Sequence, residues 1–507
     1  MDWFGALDFK QALANLHYEF HGDWHRDPWG WPELEYVLSG GKDVLTDFLN
    51  GSGAGEVSLL DVPKENWGTR PAVVMDPVAR IAYQALVDQL SLDIVGKLTP
   101  NAFGWRLPVT TPKRGRYSHN SKQWDLYRDH LSMLSGIYPV ALKSDIVSFF
   151  ASIPLPTVQE ELDGRIPSNH LSKRLFAILD GFGSTAHRSG LPQRSTASAV
   201  IANMIMISID DVLEHWASPL LMVSRSRVQY HSFARWMDDL WLFGYEVGSA
   251  RRAQVELQGA AQLLGLNLNA AKTELLEGDA VVKEAREIEH SAVDDALASE
   301  NDHEPLEKLV DKILSAPDKA NRTSIKFAAL RMIEHNSRYR AQELVQLAKQ
   351  MPHAADSLAG LFKLVFTSAS LQEWFLDYAR SDWAVFEWTV AQYGRMFSSS
   401  STPSKAMLDY VESIVANPGR PLPLLALASQ RLAAWDAVRA RAVIRAAMSA
   451  ASDPLARRAL AMASLNAGEP RRMVNRRAAT HGEEVARTAR RESGHSGDAG
   501  GESLPAA

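Results

Sequence analysis

The chain has 507 residues, 46% hydrophobic and 22% charged, with a formal net charge of −6 and no cysteine. That length exceeds what one hydrophobic core organises and predicts about two to four domains. The absence of cysteine excludes disulfides, Cys-ligated zinc and thiol catalysis, and suits a reducing, cytoplasmic setting. No basic leader with an apolar run opens the sequence, and no stretch of about eighteen apolar residues occurs, so neither a secretion signal nor a membrane span is expected.

Residues 1–55 read as a helical N-terminal extension, with an apolar stripe over Phe9–Phe20 and a Trp- and Pro-rich turn from His21 to Pro32. His17, His21 and His25 are spaced four apart, which would align them on one helical face. Gly22 and the turn residues after it favour an aromatic packing corner over a metal site. Val57–Val62 and Arg70–Met75 read as short strands around a turn. Asp76-Pro77 then supplies an N-cap and a proline at the first helical position, opening a helix over Val78–Leu90. Between Gly104 and Arg128, six basic residues meet one acid, with Trp105, Tyr117, Trp124 and Tyr127 interleaved. Such a texture suits phosphate contact and base stacking.

A helix is predicted at about 123–135, a strand over Val140–Ile146, helices through 155–182 and one long helix from Thr196 to Trp216. Phe233–Phe243 places Asp238-Asp239 between two apolar arms, the pattern of a hairpin with carboxylates at its tip. A solvated turn is the alternative. An amphipathic helix over about 249–264 precedes Leu268-Asn269-Ala270-Ala271-Lys272-Thr273. From about 281 the pattern is helical and rich in Ala and Leu, with breaks near Ala316-Pro317, Met351-Pro352, Ser400–Pro403, Asn417–Pro423 and Asp453-Pro454. Stacked helical pairs of the HEAT-like kind are one reading and an irregular bundle the other. Arg431 to Arg491 holds 13 arginines, no lysine and five acids. A disordered tail is expected over 481–507.

Asp145 ends one strand and Asp238 ends another. Neighbouring strands in one sheet would bring these carboxylates together, and a cluster of carboxylates needs a cation between them. Taken in order, the segments resemble the palm of a reverse transcriptase. Asp145-Ile146-Val147-Ser148-Phe149-Phe150 resembles motif A, Gly190-Leu191-Pro192-Gln193 with Ser195 motif B, Trp236-Met237-Asp238-Asp239 motif C, and the run ending at Lys272-Thr273 motif D. Pro63-Lys64 with Thr69-Arg70-Pro71 resembles the fingers segment, and Gly104-Trp105-Arg106 the "GFR" after it.

The resemblance implies an α+β fold: fingers and palm over 56–280, an all-α repeat-like or thumb domain over 281–480, then the tail. It implies an RNA-directed DNA polymerase using two Mg²⁺ ions, with Mn²⁺ as a substitute, to join dNTPs into a DNA product. Asp145, Asp238 and the Ile146 carbonyl would face the metals, with Asp239 as a supporting acid. Phe150 would exclude a 2′-hydroxyl, Lys64 and Arg70 would hold the triphosphate, Gln193 would line the nascent pair, and Lys272 would meet the leaving phosphates. Arg106, Arg194 and Trp236 would contact nucleic acid. Two positions depart from the family pattern: Trp236 stands where Tyr is usual and would crowd the primer end, and Arg194 stands where Gly is usual.

No HNH-type metal pattern is present, and a retron-type enzyme is normally shorter. A palm followed by helices resembles the abortive-infection and defence-associated reverse transcriptases of bacteria. For that group a partner non-coding RNA template, untemplated synthesis and priming from a protein hydroxyl all stay open, and homo-oligomers are implied. The competing readings are an RNA-binding defence scaffold with an inactive palm, and an intron- or retron-type enzyme.

Overall fold

The computed structural model describes residues 3–20, 22–39, 42–183, 190–220, 230–286, 290, 293, 296–297 and 302–479. His21 and the tail expected at 481–507 lie outside these residues. Two compact units are present, and each gathers separated stretches of chain. The first comprises Met1–Trp24, Gly41–Gly55 and Pro71–Leu309; the second comprises His25–Gly40, Glu56–Arg70 and Val310–Ala507. The boundaries expected at 55 and 280 therefore shift. One cause is that Asp27 and Glu33 are ion-paired with Arg458, which ties an N-terminal segment to the C-terminal helices.

The strands are β1 (Val57–Pro63), β2 (Thr69–Met75), β3 (Ala102–Phe103), β4 (Val140–Ser144), β5 (Phe233–Trp236), β6 (Asp239–Gly244) and β7 (Glu274–Glu277). They form a two-stranded sheet, β1-β2, and a five-stranded sheet ordered β3-β5-β6-β4-β7. The helices of the first unit include α1 (Phe9–Phe20), α2 (Pro77–Val95), α3 (Asn120–Ile137), α4 (Thr196–Ile205), α5 (Ile207–Trp216), α6 (Val247–Leu263) and α7 (Asp279–Ala285). Asp76 caps α2 as its sequence predicts: its Oδ1 accepts the N–H groups of Val78 at 2.9 Å and Ala79 at 3.0 Å.

Side chains alternate across the large sheet, and this alternation sets its two faces. Ala234, Trp241, Phe243 and Ala141 join Tyr127, Leu131 and Leu134 of α3 and Val281 of α7 in one buried core. The other face of β4 and β6 packs against α6. The helix expected to run unbroken from Thr196 to Trp216 is two helices, bent by 49° at Met206. The N–H groups of Ile209 and Asp210 both bond back to the Met206 carbonyl, so the helical ladder restarts there.

In the second unit, helices α8 (Ser368–Ala379), α9 (Glu387–Gly394), α10 (Lys405–Val415), α11 (Leu422–Trp435), α12 (Ala437–Ala450), α13 (Pro454–Asn466) and α14 (Arg471–Ala479) follow one another. From α10 onward, consecutive helices pack together. In addition α9, α11 and α13 pack in series, as do α8, α10 and α12, giving two layers. The breaks expected at Asn417–Pro423 and Asp453-Pro454 fall between these helices. Asp453 caps α13, accepting the N–H of Leu455 at 2.8 Å.

Candidate active site

The hairpin of β5 and β6 pairs Trp236 with Asp239, leaving Met237-Asp238 as a two-residue loop. Met237 has φ 56°, the left-handed region that so tight a connection requires. Strand β4 runs antiparallel beside β6 with Ser144 opposite Leu240. The next residue, Asp145, therefore reaches the level of Asp239. Adjacent strands bring the acids together as their positions in the sequence imply. Burial, together with the charges of Asp239 and Asp145, raises the Asp238 carboxyl above the usual carboxylate range.

Asp145 is buried, and two residues of the Asn269–Thr273 turn hold it. The Asn269 N–H donates to the Asp145 carbonyl at 2.7 Å, and the Asn269 side-chain amide donates to Oδ2 at 3.2 Å. Lys272 Nζ lies 3.0 Å from the same Oδ2. Partial burial opposes charging of this ammonium, but Asp145, with Asp239 and Asp238 behind it, prevails and raises its pKa. Below this, Ser144 and Thr273 share a hydrogen bond of 2.8 Å. The sequence signal for Asn269 is its place within the run that carries Lys272. Ile146 is buried and bridges to Leu268, which stitches the two segments together.

Phe149 is buried core, whereas Phe150 is only half-buried and meets it edge-on at 5.3 Å. The Phe150 carbonyl accepts the Leu191 N–H at 2.7 Å. Gly190 sits against that carbonyl with φ +75°, and a Cβ there would lie 2.1 Å from the Phe150 oxygen. Only glycine fits. Gln193 is half-buried in the same turn, and Ser195 caps α4 by accepting the Ser198 N–H at 3.4 Å. Arg194 has φ 59°, so arginine takes a backbone conformation that glycine adopts without strain. Its guanidinium lies over the Trp24 ring at 4.3 Å.

A buried ion pair supports the hairpin from behind. Arg235 is fully buried; its Nε and one terminal nitrogen reach both carboxylate oxygens of Asp210 on α5, at 2.6 and 2.8 Å. The other terminal nitrogen donates to Asn203 at 2.8 Å and to the Met237 carbonyl at 3.1 Å, and so fastens the loop that carries Asp238. No motif in the sequence marks these three residues as a set. The alternation within Phe233–Phe243 could have pointed to Arg235, a charge at an inward position of an apolar strand.

Of the expected nucleic-acid contacts, Arg106 is placed otherwise, and Trp236 is half-buried. Arg106 is buried, and its guanidinium donates to the carbonyls of Thr99 at 2.8 Å and Ala102 at 2.5 Å. It shapes its own loop instead of facing a ligand. The Trp236 ring packs against Trp124 at 4.9 Å and against Trp105 and Tyr127 at 5.7 Å each, with Gly104 beside it. Lys64 and Arg70 lie on the β1-β2 segment of the second unit, whereas the three aspartates and Lys272 belong to the first. His25 is buried and meets Trp31 edge-on at 5.5 Å, which agrees with the packing corner.

The carboxylates supply hard oxygen donors of the kind that suit Mg²⁺, and the raised Asp238 carboxyl marks negative charge that a cation would relieve. Among the described residues no group of three or more His, Asp or Glu side chains is arranged so as to hold a metal ion by itself. Asp145 is engaged by Lys272 and Asn269. In comparisons with known proteins, a family model described as reverse transcriptase (RNA-dependent DNA polymerase) matches residues 62–327, a stretch that contains the three aspartates, Asn269 and Lys272. No curated protein matches the chain.

Proposed function

The chain belongs to the reverse transcriptase (RNA-dependent DNA polymerase) family, whose model matches more than half of it, and we propose that Asp145, Asp238 and Asp239 form the catalytic centre of a DNA polymerase. The observation that carries this reading is the convergence of the three acids and Lys272 at the end of adjacent strands. Two Mg²⁺ ions held by Asp145, Asp238 and the Ile146 carbonyl, with Asp239 in support, would supply charge neutralisation for in-line attack of a primer hydroxyl on a dNTP. The protein's own part is positioning. Asn269 orients Asp145, and the Arg235–Asp210 pair holds the Asp238 loop. Lys272, already protonated, offers a cation to the departing pyrophosphate once it leaves Asp145. Phe150 would select against a 2′-hydroxyl, and Gln193 would line the base pair.

The same reading makes this a defence polymerase acting in the cytoplasm, templated by a non-coding RNA or untemplated, and working as a homo-oligomer. Its second unit is HEAT-like; the two-layer packing of α8–α13 supports this. An inactive-palm scaffold is the weaker reading. The departures that motivated it are absorbed, since Arg194 keeps the backbone of a glycine and Trp236 is housed among aromatics. Purified protein given labelled dNTPs and Mg²⁺ should make polymer, and the Asp238→Ala, Asp239→Ala variant should make none. Equal synthesis by that variant would remove the assignment. Phage plaque counts with the same variant test the defence role, because a scaffold would still protect.

A further inference from the structure

Of the ten arginines from Arg431 to Arg477, nine divide by their surroundings into two sets, and Arg457 donates to the Ala451 carbonyl at 2.7 Å. Arg431 and Arg458 are buried: the first donates to the Phe397 carbonyl at 2.7 Å, and the second lies between Asp27 and Glu33. Arg439 is matched by Asp409, Glu412 and Asp436. These three belong to the architecture of the unit. Six others, Arg441, Arg445, Arg471, Arg472, Arg476 and Arg477, gather about the turn between α13 and α14.

The geometry of that turn is specific. Arg441 donates to the Ala467 carbonyl at 2.9 Å, and Gly468 follows with φ +76°. Arg445 Nε from α12 and an Arg477 terminal nitrogen from α14 both lie 2.9 Å from Glu469 Oε1. Burial works to raise the Glu469 carboxyl, but Ser464, Arg477 and Arg445 prevail and lower it. One carboxylate among six guanidiniums leaves most of the positive charge uncancelled. Its effect is to hold Arg445 and Arg477 in fixed positions. Arg441 and Arg445 are four apart on α12, and Arg472 and Arg476 are four apart on α14, so each pair shares a helical face. Arg445, Arg472 and Arg476 are exposed.

We propose that this arginine face on α12 and α14 is a nucleic-acid site of the second unit, which grips the sugar–phosphate backbone of a single strand without reading its bases. Three features favour this occupant. The cations are all arginine, whose planar fork matches phosphate with two parallel hydrogen bonds. Several are held in advance by a carbonyl or by Glu469, which lowers the entropic cost of binding a chain of anions. From Ala437 to Ala479 the sequence carries acids only at Asp453, the cap of α13, and at Glu469, so a polyanion meets a strongly positive field. Binding at this face does not depend on polymerase activity.

The test uses the full chain with fluorescent oligouridylate and with oligothymidylate of equal length, over a series of KCl concentrations. Both should bind, and the affinity should fall steeply with salt. Replacing Arg441, Arg445, Arg472 and Arg476 with Gln should weaken binding by at least about tenfold. The log–log salt slope should flatten by about 0.7 for each lost phosphate contact, near 3 for all four. The exposed pair alone, Arg472→Gln and Arg476→Gln, should give about half that change, and it guards against a folding defect in the larger variant. Crosslinks from 4-thiouridine should map to α12 or α14. A tighter oligouridylate identifies an RNA strand, a tighter oligothymidylate a DNA strand, and both support the site. Unchanged slopes, or crosslinks confined to residues 71–309, would overturn it. So would equal competition by polyglutamate, which would point to an acidic protein partner. An Asp238→Ala, Asp239→Ala protein that makes no DNA yet keeps this binding separates the two proposals.

Discussion

At the level of single residues, the least expected contributor is Asn269. It touches Asp145 from both backbone and side chain, so it sets the direction of a carboxylate that Lys272 also pulls. Residues that orient a metal-facing ligand typically change activity by about 10–100-fold when removed. Asn269→Ala should therefore lower the rate of nucleotide incorporation by about that factor and raise the Mg²⁺ concentration giving half-maximal rate, with thermal stability little altered. A rate within twofold of wild type would show that Asn269 only closes its turn. A second prediction concerns Asp88 on α2. It is buried and accepts Gln84 at 2.7 Å, Tyr117 at 2.8 Å and Asn15 at 2.9 Å. Burial outweighs these donors and pushes its carboxyl from 3.8 to about 7. A raised carboxyl means the folded state binds the proton more tightly than the unfolded chain does. Stability should then decline as pH rises from near 4 towards 7. Urea unfolding should show this decline in wild type and a flatter profile in Asp88→Asn.

At the level of elements, the candidate site depends on how segments are clasped to one another. Gly190 is the clearest case, because its missing side chain lets the Leu191 N–H reach the Phe150 carbonyl. Gly190→Ala adds a clash with that oxygen and a left-handed penalty of about 1–2 kcal/mol. The variant should lose incorporation of dNTPs and lower the unfolding midpoint; normal activity would mean that the Phe150 segment is free to move. Much of this layer was legible beforehand. Strand-turn-strand at 57–75, the Asp76 cap and the hairpin around Asp238 all follow from local patterns of period, cap and turn. What local pattern does not carry is the break at Met206, since no Gly or Pro marks it. Nor does it carry the burial of Arg106, whose partners are carbonyls of its own loop.

At the level of the whole molecule, the division into units ignores sequence order. The second unit takes His25–Gly40 and Glu56–Arg70 from the N-terminal region. Arg458 shows why: its side chain is buried with Asp27 at 2.8 Å and Glu33 at 2.5 Å. Removing one partner of such a buried set costs about 3–5 kcal/mol, because the remaining charge is stranded away from water. A fragment covering 310–507 alone should therefore fold poorly, with little amide protection in hydrogen exchange, and Asp27→Ala in the full chain should lower the unfolding midpoint. A stable isolated fragment would mean that the N-terminal segments only decorate the unit.

By itself, the amino-acid sequence determined the family resemblance, the three aspartates, Lys272 and most secondary elements, because catalytic acids, caps and turns are written in short contiguous runs. Only the tertiary structure decided which charges are buried and paired, that Arg194 adopts a glycine's backbone, that Asn269 holds Asp145, and that N-terminal residues complete the C-terminal unit. These are relations between distant positions. They depend on which desolvated groups find partners, and no local pattern in one sequence encodes that choice.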